Sequence, residues 1–208
     1  MAKQDPRVFV EGQDDMYAVL ALLERHGVEQ TPQFKATEGV DQLLETLPLT
    51  VKAGVGKTYG FILDADQSLQ DRWRAVTDRL GEHFRRNALP ETPPTNGLIL
   101  QSDNQVRLGV WLMPDNQNAG SIEDLLNTLI KHDDPLKPHA EQATSTARDL
   151  GAKFGDADSK KAVLHTWLAW QKVPGLPHGS TVRAHFLSAE GETAIALARW
   201  FKELFELQ

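Results

Sequence analysis

The sequence predicts an α/β fold: a mostly parallel sheet with helices on both faces and a helical extension at the C-terminus. Two observations carry this expectation. Over about the first 130 residues, short β-branched or aromatic runs alternate with segments whose apolar residues recur at helical spacing. Beyond about Lys131 the strand signals stop and only helical patterns follow. The expected organisation is therefore a core over residues 1–130 and a helical extension over residues 131–208, packed on that core.

The elements follow in order. RVFVEG (Arg7 to Gly12) is a short run that ends at a glycine and reads as a buried strand. Asp14 or Asp15 caps the next helix, where Met16, Val19, Leu20 and Leu23 form one apolar face. That helix stops near His26-Gly27. Gln33 to Ala36 forms a second strand, and the helix after it carries Val40, Leu43, Leu44 and Leu47 on its buried side. YGFIL (Tyr59 to Leu63) is the next strand and runs straight into Asp64-Ala65-Asp66. A polar, amphipathic helix spans about Ser68 to Arg86, and NALPETPPTNG is a proline-rich loop. Gly97 to Leu100 and Val106 to Met113 are two strands joined by the turn Ser102-Asp103-Asn104. Pro114-Asp115-Asn116 stops the second of them, and a helix from Ser121 to Ile130 buries Ile122, Leu125, Leu126 and Leu129. In the extension, helices are expected over Glu141 to Leu150, Ser159 to Gln171 and Thr193 to Leu207. The last buries Leu197, Ala198, Phe201, Leu204 and Phe205, and Gly175 to Gly191 forms a loop with one short strand.

Composition narrows the function. The 208 residues are 40% apolar and 25% charged, which is ordinary for a globular domain. With no cysteine, disulfides, zinc-thiolate sites and thiol nucleophiles are excluded, and a reducing compartment is expected. There is no apolar leader and no run long enough to span a bilayer, so the expected location is the cytoplasm. The net charge of -7 leaves no basic footprint of the kind that wholesale nucleic-acid binding needs. Metal-dependent nucleases escape that argument in part, because a carboxylate cluster stays acidic until its cation arrives.

The chemistry-bearing residues are carboxylates. Glu11 closes the first strand, and Asp64 and Asp66 close a later one. In a parallel sheet the carboxyl ends of the strands lie along one edge, where ligands bind. Two aspartates at i and i+2 in extended chain point to the same side. Together with Glu11 they form a set of hard oxygen donors suited to Mg²⁺ or Mn²⁺, which would position a phosphodiester. The competing explanation is helix capping, since acids are common where strands end and helices begin. Asp64-Ala65-Asp66 alone is more often a cap or turn than a metal site, whereas Glu11 has nearby Asp14 and Asp15 to cap in its place.

EGQDD after the first strand and YGFILDAD after a later one resemble the Toprim domain of primases, topoisomerases and related nucleases. Glu11 matches the glutamate of that family's first motif, and Asp64 and Asp66 match its later DxD pair. The chain is similar over nearly its whole length to an uncharacterised Toprim-like family of small bacterial proteins. GVWLMPDN (Gly109 to Asn116), GSIEDLL (Gly120 to Leu126) and KAVLHTWLAWQ (Lys161 to Gln171) carry that similarity. The resemblance implies a Toprim-like Rossmannoid core and metal-dependent phosphoryl transfer, chiefly phosphodiester cleavage of DNA or RNA. Glu11, Asp64 and Asp66 would be catalytic and metal-binding, with Glu11 also a general acid or base. By similarity to overcoming-lysogenization-defect nucleases and small anti-phage effectors, Glu123 would hold a second metal, and a separate ATPase would be the partner. Read from the residues alone, Ser121, Glu123 and Asp124 form a helix cap.

Other features carry less. GVGKT (Gly54 to Thr58) lacks the first glycine of a phosphate loop, with Val51 in its place, and precedes a strand where it would have to precede a helix. The seven histidines show no metal-ligand spacing such as HExxH. Trp167 and Trp170 beside His165 read as packing before base stacking. Lys160 and Lys161 open a helix where the dipole disfavours them and read as an exposed basic face. His178, Arg183 and His185 lie in the late loop with nothing to fix their position. Two further readings stay open: a non-catalytic metal- or nucleotide-binding regulatory module, favoured by the acidic charge, and phosphoryl transfer on a small nucleotide.

Overall fold

The computed structural model describes residues 7–81, 83–84, 89–103 and 105–207. Five strands, β1 (Val8–Val10), β2 (Phe34–Ala36), β3 (Thr58–Asp64), β4 (Leu98–Gln101) and β5 (Arg107–Met113), form one sheet in the order β2-β1-β3-β5-β4. Every neighbouring pair is parallel except β4 and β5, which form an antiparallel edge. The mostly parallel α/β architecture read from the sequence is therefore present.

The sheet is covered on both sides because its strands alternate strictly. Val8, Val10, Ile62, Trp111 and Met113 face one apolar cluster; Phe9, Phe61, Leu63, Leu108, Val110 and Leu112 face the other. Helices α2 (Val40–Ala53) and α3 (Leu69–Leu80) cover the second side. The first side receives α1 (Gln13–Arg25), α4 (Ile122–Thr128), α5 (Leu136–Asp149), α6 (Ser159–Ala169), α7 (His178–Arg183) and α8 (Glu192–Phe205). Helix α8 reaches the sheet through a trough. Gly60 and Gly109 are cross-strand partners, and a Cβ on Gly109 would stand 2.4 Å from the Leu204 side chain. Among the described residues no helix is long and apolar enough to cross a membrane.

Several expected elements change. The cap of α1 is Gly12, and Asp15 serves from the third helical position, accepting the Gly12 N–H at 2.8 Å. Helix α3 starts on Ser68's cap and ends at Leu80 with Gly81 as its C-cap, where the sequence suggested Arg86; residues 85 and 86 lie outside the described set, as does Asn104 of the expected turn. Helix α5 starts at Leu136, five residues before the predicted Glu141. Its Lys137-Pro138 lies in the first turn, where proline is tolerated, and Asp134 accepts the Leu136 N–H at 2.8 Å. The loop after Gly175 holds no strand; α7 stands there. It docks because Gly179 lets its backbone lie against that of Tyr17, with a Cβ at 179 only 2.4 Å from the Tyr17 carbonyl oxygen.

Candidate functional site

The order β2-β1-β3 contains a reversal. The chain leaves β1 toward β2 on one side and returns to place β3 on the other, so the crevice between the ends of β1 and β3 is the switch point where ligands bind in such sheets. Register sets the residues there. Val10 lies opposite Ile62, which brings Glu11 beside the end of β3, and Asp64 closes β3 opposite Met113.

The side chains interlock. Glu11 Oε1 accepts the Asp64 N–H at 2.8 Å, and Asp64 Oδ1 accepts the Ile122 N–H at 3.1 Å. Asp64 thus touches both the first strand end and the start of α4. The second oxygens of Glu11 and Asp64 accept no hydrogen bond among the described residues. Burial raises the Asp64 carboxyl to about 9, and the neighbouring Asp15, Glu11, Glu123 and Asp66 add to the rise. Burial likewise raises Glu11 to about 7, against the Asp64 amide and Arg72, which lower it. Asp15 is also raised, first by burial and then by Glu123 and Asp14. Acidic groups are thus concentrated at the strand ends, where burial and mutual repulsion favour their protonated forms.

Asp66 is placed differently. Its φ is 53°, in the left-handed region, and its N–H donates to the Gly120 carbonyl at 2.9 Å. The chain is no longer extended there, so the i, i+2 argument that Asp64 and Asp66 share one side does not apply. The Asp66 carboxylate is exposed and paired with Arg72. Glu123 is buried at 6% exposure, and both its oxygens are taken: Lys161 Nζ at 2.8 Å and the Ser121 hydroxyl at 2.8 Å. Burial pushes its carboxyl up, but these bonds outweigh that and hold it low. Asp124 takes the Ser121 N–H at 2.8 Å, completing the expected capping interaction, and pairs with Lys160 at 2.6 Å.

These residues border a cavity of about 920 Å³ between the end of β3 and the starts of α3, α4 and α6. Seven carboxylates, Asp64, Asp66, Asp71, Glu123, Asp124, Asp156 and Asp158, line it with Arg72, Lys160 and Lys161. Glu11 lies just behind its wall, in contact with Asp64. Among the described residues, no three His, Asp or Glu side chains stand close enough together to ligate one ion. The donors themselves suit a hard divalent cation: all are oxygens, and Glu11 and Asp64 each keep an unshared one.

The structure therefore joins Glu11 and Asp64 directly and gathers Asp66 and Glu123 around the same cavity, each held by its own cation. Sequence reasoning set aside Lys160 and Lys161 as an exposed face, and passed over Arg72 and the second role of Asp15. Three arginines of α3 look alike in sequence; only packing selects Arg72, whose side chain is 12% exposed. The remaining candidates lie elsewhere. Arg183 pairs with Glu24 at 2.7 Å, and Trp167 is core, while Trp170 stacks on His139 at the surface. GVGKT leads from the end of α2 into β3, as the sequence indicated.

A family described as "Protein of unknown function (DUF3226)" matches residues 5–206. No curated protein and no solved structure matches the chain.

Proposed function

We propose that this chain, which belongs to the DUF3226 family, performs Mg²⁺- or Mn²⁺-dependent phosphoryl transfer, cleaving phosphodiesters of DNA or RNA from a Toprim-like site. One observation supports this most: at the switch point of a parallel sheet, Glu11 and Asp64 meet with unshared oxygens and carboxyls raised by burial and like charge. Two half-buried acids side by side are destabilising unless protonated or matched by a cation. Asp64 and Glu11 would hold the ion, with Asp66 as a further ligand once it parts from Arg72. Glu123 would join a second ion only if Lys161 released it. A divalent cation there would draw in a phosphodiester and offset the negative charge that builds on its oxygens. Arg72, Lys160 and Lys161 would orient the phosphates from the cavity wall. Glu11, held near pH 7, is suited to take up or give a proton at its carboxylate.

The test is calorimetric titration of Mg²⁺ and Mn²⁺ into the intact protein and Asp64→Ala. Saturable binding lost in the variant is the expected result. Labelled single- and double-stranded DNA and RNA then test for cleavage abolished by chelator. No binding of either ion at millimolar concentration, with or without oligonucleotide, would sink the reading.

A second reading has its own support. Asp66, Glu123 and Asp124 are each tied to a cation, and the net charge is -7. A regulatory module that binds metal or nucleotide without turnover would look like this. It is favoured if ions bind but no substrate is cleaved.

A further inference from the structure

A second cavity, of about 270 Å³, lies between α1, α6 and the segment leading into α7. Leu168, Ala169, Leu176 and Pro177 give it apolar walls, while Asp14 and His165, both exposed, stand at its mouth. His178 lines it from within and is only 4% exposed, yet neither of its ring nitrogens has a hydrogen-bond partner among the described residues. Its ring lies 5.4 Å from that of His165, at 35°.

A buried imidazole with both nitrogens unbonded is destabilising, so the arrangement points to a ligand that supplies the missing partner. The ring there is neutral, because burial opposes its protonation, and it offers one N–H donor and one bare acceptor nitrogen. A neutral ring suits a neutral polar ligand better than a phosphate or carboxylate. Apolar walls flanked by two imidazole rings tilted at 35° suit a small ring with polar edges. Glu123 and Lys161 of the carboxylate site act electrostatically on His178, although the two cavities share no lining residue.

We infer that this cavity is a subsite for the heterocyclic base of a nucleotide, with His178 hydrogen-bonding a ring nitrogen or exocyclic group and His165 closing the mouth. That a nucleotide comes here rests on the phosphoryl-transfer reading; recognition of the base does not need the metal.

The experiment is titration of adenosine, guanosine, cytidine and uridine, without phosphate and with EDTA present. It uses ligand-observed NMR on the intact protein, Asp64→Asn, His178→Phe and His165→Ala, each checked for folding by circular dichroism. At least one nucleoside should bind the intact protein and Asp64→Asn alike. Binding should weaken by about tenfold or more in His178→Phe and measurably in His165→Ala. If His178→Phe does not fold, His165→Ala decides alone. No saturable binding at millimolar nucleoside, or binding indifferent to the two histidine changes, overturns the proposal. Nucleoside binding together with a failed metal titration would leave the subsite standing and remove the phosphoryl-transfer reading.

Discussion

Asp64 and Glu11 couple the site's chemistry to stability. A carboxyl whose folded value lies above its unfolded one binds its proton more tightly in the native state. Its stabilising contribution is full below the unfolded value and is lost as pH rises through the folded one. For Asp64 that window runs from 3.8 to about 9, and for Glu11 from 4.5 to about 7. The low Glu123 carboxyl acts in the opposite sense, contributing stability above its ordinary value and losing it as pH falls. The metal-free protein should therefore melt at progressively lower temperature between pH 5 and pH 9, and saturating Mg²⁺ should restore much of the loss. Asp64→Asn, which stays neutral throughout, should flatten the slope. In EDTA at pH 8 it should raise the melting temperature by roughly 3–10 °C, on the order of 1–3 kcal/mol. A variant that melts lower than the native chain at that pH would show that Asp64 is a structural cap and not an uncompensated charge.

At the scale of elements, close backbone approach places the helices. Helix α7 bears on α1 through Gly179, with Arg25 Nη1 donating to the Val182 carbonyl at 3.1 Å and Arg183 pairing with Glu24. Gly179→Val drives a side chain into the Tyr17 backbone, which cannot yield as a flexible side chain would. The expected cost is about 2–3 kcal/mol, a fall of roughly 4–12 °C in melting temperature. Since α7 carries His178 and not the carboxylates, nucleoside binding should be lost while Mg²⁺ affinity is unchanged. Loss of both in a folded variant would mean that the cavities are not independently built. Helix α8 depends on its trough in the same way, and Arg107 adds to it by donating to the Leu204 and Glu203 carbonyls at 3.0 Å each. These lie in the last turn, where carbonyls lack the full set of intrahelical partners.

For the whole molecule, the sheet's first face is closed by residues from beyond position 130. Trp111, Ile62 and Met113 share one apolar cluster with Leu164, Trp167, Leu197, Trp200 and Phe201. A fragment of residues 1–130 would keep α1 and α4 but leave the part of that face under the later helices open to water, more apolar surface than a soluble monomer tolerates. The fragment should aggregate or lack the near-ultraviolet circular dichroism of packed aromatics. A well-packed, soluble fragment would instead make the helical extension a separable appendage. The extension also supplies Lys160 and Lys161 to the cavity, so the two parts of the chain meet at the candidate site.

What the sequence determined by itself was local. Helix faces, strand runs and the DAD segment after YGFIL follow from periods of two and 3.6 residues, which are written within a few neighbouring positions. The sheet's class was legible for the same reason, from the alternation of those periods. Elements without strong periodicity were not: α7, spelled HGSTVR, has one large apolar residue and forms because α1 receives it. The partnership of Glu11 with Asp64 spans 53 residues and exists only because β3 pairs beside β1 with Val10 opposite Ile62. Tertiary structure likewise decided that Asp66 turns to Arg72, that Lys161 occupies Glu123 and that His178 is buried without a partner. Burial and neighbouring charge arise where distant segments meet, so the properties that make these residues chemically interesting belong to the fold and not to any stretch of the chain.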